Sequence, residues 1–497
     1  MMSREDRKLV VEYDQDKNGY LDKAERAAAR AFLKANPKEV RGGPPNGRRG
    51  PGGPRGRRAP GGNNEPAKPG IQIAKSEVKP MESADLYATD SLRTLFLDFE
   101  NDDWEAELEA FHGTDVEVPA TLTADGKIYR GVGVHFRGMS SYMMVPAGKK
   151  RSFNLSLDFI KKKQRLEGYK TLNLLNNNGD GSFLSGVLYS QIARQYIAAP
   201  KANLVRVVVN GENWGIYVNQ QQFNKDFIQE NFRTSKGARW KVPGSPNGRG
   251  GLDYIGDKIA DYKERYEMKS GDDEDWHALI QLCRTLSETP ADQLEAAISP
   301  MLDLDSVLWF LALDCALMNS DGYWTRASDY TLYRDKVGKF HAIPHDMNEA
   351  FRAAGGGPSG RRGGRRDQQP TSNSQEASAV GAASLDPLVA LDDPTKPLRS
   401  KLLAVPALRE SYMEKVRTIA EKDLDWKKLG VQVAGYRELI GKEVAIDTRK
   451  TSTTEEFENL TSDIPSEGGE KGGFGHRAMP LRTFADQRRD YLLSYPK

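Results

Sequence analysis

The chain lacks the features that mark several common classes of protein. Its 497 residues include two cysteines, Cys283 and Cys315, and both lie in apolar stretches with helical periodicity. Core thiols are the simplest expectation there, and a disulfide is not indicated. No apolar run reaches the length that crosses a bilayer, so we expect no membrane span. The formal net charge of +2 does not predict a polyanion partner for the chain as a whole.

The motifs of common nucleotide-binding and zinc enzymes are also missing. The sequence contains no Gly-x-x-x-x-Gly-Lys-Ser/Thr, and Gly131 and Gly133 lack the third glycine of Gly-x-Gly-x-x-Gly. The six histidines never fall in the His-Glu-x-x-His spacing of a zinc-protease helix. Any nucleotide site must therefore be of an atypical kind.

Near the N-terminus, residues 14–25 fit every position of an EF-hand calcium loop. Gly19 permits the sharp turn, and the flanking segments 4–13 and 23–35 have the helical patterns that a helix-loop-helix unit requires. The alternative is an acidic turn that happens to fit the pattern. The predicted calcium ligands are the side chains of Asp14, Asp16, Asn18, Asp22 (through water) and Glu25, together with the carbonyl of Tyr20.

Two segments rich in Gly, Pro and Arg, about 41–70 and 355–383, hold too few apolar residues to offset chain entropy. We expect the first to be a disordered basic tether and the second a mobile insertion. Segments of this composition also bind nucleic acid or other polyanions by counterion release, although a soluble linker with a basic bias is the simpler interpretation. The predicted organisation is an EF-hand module (1–38), a linker (39–80) and one body (85–497) with an insertion at about 353–384.

Two acidic residues, Asp321 and Asp346, flank a predicted β-hairpin with its turn at 335–338. A hairpin would bring the two carboxylates together. Phosphoryl transfer needs a carboxylate to orient the attacking hydroxyl and oxygen ligands to hold Mg²⁺ on the phosphates. The simpler alternative is that both residues serve ordinary turns.

The remaining patterns predict an α+β body, with a hairpin around the Asn210-Gly211 turn. Strands are predicted at 93–99, 131–137, 152–159, 170–175 and 204–210. Helices are predicted at 102–111, 183–196, 275–286, 304–318, 388–424, 426–446 and 474–495.

From about residue 93 to the end, the sequence resembles the spore coat protein H (CotH) kinase family of atypical, secreted or envelope-associated protein kinases. The matching blocks are residues 131–142, 149–153, 172–177, 207–217 and 318–351. The resemblance implies a two-lobed, kinase-like α+β fold with a strand-rich first lobe and a helix-rich second lobe. It also implies transfer of phosphate from ATP, with Mg²⁺ or Mn²⁺, to Ser or Thr hydroxyls of secreted or envelope proteins.

The resemblance assigns metal and catalytic roles. Asp321 matches the catalytic aspartate, and Asp346 matches the first aspartate of a Trp-Asp-x-Asp metal motif. His345 replaces the tryptophan of that motif, and Asn348 replaces its second aspartate. Asp329 stands where the family usually has asparagine, so metal-compatible oxygens are kept at both exchanged positions.

Four further residues are expected at the nucleotide. Lys150 is the expected phosphate-neutralising lysine, although Gln221 replaces the glutamate that would orient it. Tyr142 and Phe340 match aromatic positions that enclose the adenine in the family, and either ring could instead belong to the core. Arg137 completes the expected nucleotide contacts.

Family members usually act outside the cytoplasm, and an isolated calcium hand suits a calcium-rich exterior. The first six residues show no charged-then-apolar leader. We therefore expect a secreted or envelope location with the leader removed. The alternatives to a kinase are a catalytically inactive, calcium-binding scaffold in a coat or envelope assembly, and a polyanion-binding protein.

Overall fold

The computed structural model describes residues 7–36, 66–81, 84–138, 140–244, 249–353, 383–465 and 478–496. Most of both Arg/Gly-rich segments lies outside the described residues, so their disorder and any polyanion binding stay predictions. The described chain has the predicted α+β class.

Seven strands close into a barrel, with the order β1-β2-β3-β4-β5-β7-β6. β1 and β6 pair in parallel, and the other neighbours are antiparallel. The predicted hairpin is confirmed, because β6 and β7 are joined at Asn210 and Gly211, both with positive φ. The strands are β1 (Arg93–Phe99), β2 (Val118–Ala124), β3 (Lys127–Phe136), β4 (Phe153–Ser156), β5 (Thr171–Leu175), β6 (Ala202–Val209) and β7 (Glu212–Gln220).

A second sheet has four antiparallel strands in the order β11-β10-β8-β9. Its β10–β11 hairpin is the one predicted between the two aspartates, whereas β8 and β9 were not predicted. The pairing of β8 with β10 places Val242 opposite Tyr330, and Tyr330 is the residue that directly follows Asp329. The strands are β8 (Ala238–Val242), β9 (Glu267–Ser270), β10 (Tyr330–Arg334) and β11 (Phe340–Pro344).

The helices surround this second sheet and also cover the outer face of β6 and β7. Leu204 of β6 packs in the helix-rich core, while Val205 and Val207 pack inside the closed sheet, because successive side chains point to opposite faces. The α-helices are Val10–Tyr13, Lys23–Ala35, Trp104–Ala110, Ser140–Met143, Ser185–Ala193, Lys225–Phe232, Ile259–Lys263, Asp273–Glu288, Ala291–Ile298, Leu304–Ala316, Tyr323–Arg326, Pro397–Ser400, Pro406–Lys422, Trp426–Ile446, Thr454–Leu460 and Leu481–Ser494.

The molecule thus has two large hydrophobic cores, one within the closed sheet and one among the helices. The strand-rich part precedes most of the helices along the chain, in the expected order. A kinase-like arrangement of two lobes stays an expectation. In the described ranges, no helix combines the length and the apolar character needed to cross a bilayer.

The N-terminal unit packs directly on the closed sheet. Leu9 and Leu21 belong to that sheet's hydrophobic core. Arg26 bonds Glu107 at 2.9 Å, and both side chains are almost fully buried. Part of the expected tether also packs against the closed sheet. The backbone of Gln72 forms an antiparallel β-bridge with Glu212 of β7, and the neighbouring Ile73 is buried. The predicted linker (39–80) is therefore not a free tether over residues 66–80.

Candidate active site

The turn that carries Asp321 follows the helix Leu304–Ala316 and is held by Asp314. The carbonyl of Asp314 accepts the N–H of Asn319 at 3.0 Å, and its carboxylate accepts the N–H of Trp324 at 3.3 Å. A Cβ on Gly322 would lie 1.8 Å from Asp314 Oδ1, so only glycine fits there. Asp314 is buried, and desolvation raises its pKa to about 7. We did not predict this positioning role.

The loop that follows β11 returns to this turn. The side-chain amide of Asn319 donates to the carbonyl of Asp346 at 3.2 Å. The N–H of Ser320 donates to the carbonyl of Glu349 at 3.1 Å, and its hydroxyl donates to the Glu349 carboxylate at 2.8 Å. These bonds hold the two acidic loops side by side, so the hairpin brings together the segments that contain Asp321 and Asp346.

Asp329 joins the same place from the start of β10. It has a φ of 56°, and its carbonyl accepts the N–H groups of His345 and Asp346 at 3.3 and 3.4 Å. The hydroxyl of Ser328 donates to its carboxylate at 3.1 Å. The backbone of β10 and the loop after β11 are thus locked together immediately beside the acidic residues.

The carboxylates of Asp321, Asp329, Asp346 and Glu349 are here called the acidic cluster. Desolvation, and then the charge of Glu349, raises the pKa of Asp321 to about 8. Desolvation and the charge of Asp346 raise the pKa of Asp329 to about 7. Desolvation and Glu349 also raise the pKa of Asp346. Negative charge concentrated in this way is stabilised by a nearby cation.

Several basic side chains surround the acidic cluster. Arg326 forms an ion pair with Asp321. The positive charges of Arg137 and Lys241 act on Asp346, and the charge of Lys241 also acts on Asp329. Arg137 was expected at the nucleotide, whereas Lys241 was not predicted.

The donor set of the acidic cluster fits Mg²⁺. Carboxylate and amide oxygens are hard ligands, and Asn348, whose backbone N–H bonds the Asp346 carboxylate, carries an amide two residues after Asp346. Within the described ranges, Asp14, Asp16 and Glu25 form the one group of acidic, His or Cys residues whose ligand atoms all lie within 4.8 Å. The acidic cluster is more widely spaced. Mg²⁺ usually takes one or two carboxylates and completes its shell with phosphate oxygens and water, so two of these carboxylates would be enough to hold it.

The sequence analysis also did not identify Glu349 as a residue of this site. It directly follows Asn348, the position where the family motif has its second aspartate, and its charge acts on both Asp321 and Asp346. An acidic residue beside a substituted motif position is the sequence signal that could have identified it.

Lys150 lies in a fully buried ion pair, and we revise its predicted role. Its ammonium donates to the carboxylate of Asp447 at 2.6 Å and to the carbonyl of Ile216 at 2.8 Å, and neither charged side chain is exposed. The rings of Phe183 and Tyr217 lie 4.8 and 5.4 Å from its nitrogen. The carboxylate that pairs with Lys150 is therefore Asp447, directly after the helix Trp426–Ile446, and it holds the lysine in a buried, structural position.

The two expected adenine rings differ in their surroundings. Tyr142 is partly exposed, stacks on His112 with ring centroids 3.6 Å apart, and lies next to Arg151. Phe340 is 1% exposed and contacts Trp240 in the helix-rich core. We therefore revise the role of Phe340 to a core residue, while the adenine contact of Tyr142 stays a prediction.

The predicted calcium loop lies between a one-turn helix, Val10–Tyr13, which is shorter than the predicted entering helix, and the helix Lys23–Ala35. Asp14 accepts the N–H groups of Asn18 and Gly19, and Asn18 accepts that of Tyr20. Asp22 and Glu25 cap the start of the helix Lys23–Ala35 reciprocally. Of the predicted ligands, Asp14, Asp16 and Glu25 have carboxylate oxygens that lie within 4.8 Å of one another.

Comparison with known proteins gives a family match over the larger part of the chain. The model of the family described as CotH kinase protein matches residues 134–492. The chain belongs to the CotH kinase protein family. All four residues of the acidic cluster, together with Arg137, Lys150 and Lys241, lie inside the matched range. The N-terminal calcium loop lies outside it.

A curated relative agrees with this CotH assignment. The chain is 24% identical over 242 residues to Inner spore coat protein H of Bacillus subtilis (strain 168). The alignment covers 48% of this chain and 63% of that protein, which is less than two thirds of its length.

Proposed function

We propose that this CotH family member is an atypical protein kinase that uses ATP with Mg²⁺ or Mn²⁺ to phosphorylate Ser or Thr hydroxyls of proteins. The observation that supports this most is the convergence of Asp321, Asp329 and Asp346 beside the basic side chains Arg137 and Lys241. Carboxylates for a metal next to cations for phosphates form the arrangement that phosphoryl transfer requires.

Each residue of the site would have a separate task. Asp321 would orient the acceptor hydroxyl and take its proton. Asp346 and Asp329, with the amide oxygen of Asn348, would hold the metal. Asp314 would keep the Asp321 turn in place through the N–H of Trp324. When bound, the metal nucleotide supplies the phosphoryl group and the positive charge that stabilises its oxygens.

A catalytically inactive scaffold is the second candidate, and the replacement of the motif's Trp and second Asp by His345 and Asn348 favours it. The purified protein with labelled ATP and Mg²⁺ or Mn²⁺ separates the two candidates. Transfer of label to the protein itself or to a generic protein acceptor supports the kinase. Calcium-dependent stabilisation without any transfer supports the scaffold.

We also propose that the N-terminal loop binds calcium. Oxygens of Asp14, Asp16 and Glu25 already lie within 4.8 Å of one another, and the sequence supplies a ligand at each EF-hand position. Arg26, one residue after Glu25, bonds Glu107 of the helix Trp104–Ala110. Calcium would therefore stabilise the packing of this unit on the closed sheet. A secreted or envelope location agrees with such a site and with the name of the curated relative.

Calcium should raise the free energy of unfolding by about 2.7 kcal/mol at a concentration 100 times its Kd, because it binds only the folded loop. Asp14→Ala should abolish this gain, whereas Asp102→Ala, at an exposed acidic residue of the closed-sheet unit, should keep it. Urea unfolding with added calcium and with chelator measures the difference. An equal gain in wild type and Asp14→Ala, or no gain in either, would contradict the assignment.

A further inference from the structure

Lys150 is the lysine that the family resemblance places at the phosphates, but its ammonium group is buried in contacts with other residues of the protein. Its side chain has no exposed surface, and Asp447, Ile216 and two aromatic rings surround its ammonium group. A lysine that contacts phosphates needs hydrogen-bond donors that are open to the ligand. Some other cation must therefore meet the phosphates if the chain binds a nucleotide.

Lys241 of β8 lies directly beside the acidic cluster. It pairs with Thr331 of β10, two residues after Asp329. It lies on the face of β8 opposite to Trp240, which packs in the helix-rich core, and its side chain is half-buried. Within the described part of the chain, its ammonium group makes no hydrogen bond or ion pair, and Glu267, opposite it on β9, pairs instead with Lys269.

The charges around Lys241 suit a polyanion. Burial, and then the like charges of Arg137 and Lys269, lower the pKa of Lys241, although the charges of Asp329 and Glu267 act in the opposite direction. The same three cations act on His345, which directly precedes Asp346. Half-buried cations that repel one another lose stability unless an anion joins them. A chain of phosphates held at Asp346 would lie within the field of all three.

We infer that Lys241, and not Lys150, is the lysine that binds the phosphates of the nucleotide, with Arg137 beside it. This inference rests on the proposed kinase function and names a residue of the same site. Lys150 then serves as a buried link between the closed sheet and the segment that follows the helix Trp426–Ile446.

Titration calorimetry with Mg-ATP and with adenosine tests the inference. Lys241→Met should bind Mg-ATP about 10- to 100-fold more weakly, the effect of losing a charge-assisted hydrogen bond, and should bind adenosine like the wild type. Lys241→Arg, which keeps the charge, should bind Mg-ATP within a few-fold of the wild type. Lys336→Met, at an exposed lysine in the β10–β11 turn, and the double variant Lys150→Met/Asp447→Asn should keep wild-type affinity.

The outcomes distinguish this inference from the proposed function. If wild type binds Mg-ATP and Lys241→Met binds it equally well, the role of Lys241 is wrong and the kinase proposal stands. If Lys241→Met loses adenosine and Mg-ATP affinity alike, Lys241 supports the fold of the site rather than the phosphates. If wild type binds no Mg-ATP, both proposals are overturned.

Discussion

Asp321→Asn should lower the rate of phosphate transfer by about 10²- to 10⁴-fold, the usual contribution of a positioned general base. The amide has nearly the same shape as the carboxylate, but it cannot take the proton of the acceptor hydroxyl. Because its pKa is raised to about 8, Asp321 is largely neutral at pH 7 when no metal is bound, so a neutral amide at this position should leave the fold intact. Initial rates with labelled ATP measure the effect.

The matched control for Asp321 is Asp392→Asn, at an exposed aspartate. It should transfer phosphate at the wild-type rate. A rate for Asp321→Asn within about tenfold of the wild type would show that Asp321 is not the base, even if the chain is a kinase.

Breaking the ion pair between Lys150 and Asp447 should lower the free energy of unfolding by about 3–5 kcal/mol, because the remaining charge would be buried without a partner. Lys150→Met and Asp447→Asn should each show this loss in urea unfolding. The double variant should lose less than Lys150→Met alone, because it buries no unpaired charge. The exposed-lysine control Lys336→Met should change the free energy by less than about 0.5 kcal/mol.

Wild-type stability in either single variant would contradict the structural role of this pair. The environment of Asp447 makes that result unexpected. Its carboxylate also accepts the N–H of Arg449 at 2.9 Å, and a Cβ on Gly215 would lie 2.0 Å from it. The guanidinium of Arg449 pairs with Glu212 and lies over the ring of Trp214. Residues 447–449 therefore attach the end of a long helix to β7.

Local sequence signals predicted several elements, although the helix predicted at 388–424 was wrong in its bounds, since that range contains the separate segments Pro397–Ser400, Leu402–Ala404 and Pro406–Lys422. The helices Lys23–Ala35 and Trp426–Ile446 have the predicted bounds, since capping residues and apolar periodicity mark both. The Asn210-Gly211 turn fixed the β6–β7 hairpin. β8 was missed although Ala238–Val242 alternates apolar and polar residues, because a run of five residues is a weak signal and its partner β10 is far away in the sequence.

In the candidate site too, residues placed by local structure could be predicted, whereas residues placed by tertiary structure could not. Asp321 and Asp346 could be predicted because a short hairpin separates them. The positions of Lys241 near Asp329 and of Glu107 beside Arg26 could not be predicted, because the register of β8 and the packing of the N-terminal unit determine them. The partner of Lys150 is 297 residues away in the sequence. Only tertiary structure reveals that Asp447, and not a residue near position 221, supplies this carboxylate.

The central claim is that Asp321 and Asp346 belong to one site that holds a metal nucleotide. Calorimetric titration of Mg-ATP into wild type and Asp346→Ala tests it most directly. We expect saturable binding by the wild type that chelation of the metal weakens, and at least tenfold weaker binding by a folded Asp346→Ala variant. Equal, metal-independent binding by both proteins, or no binding by the wild type, would contradict the claim.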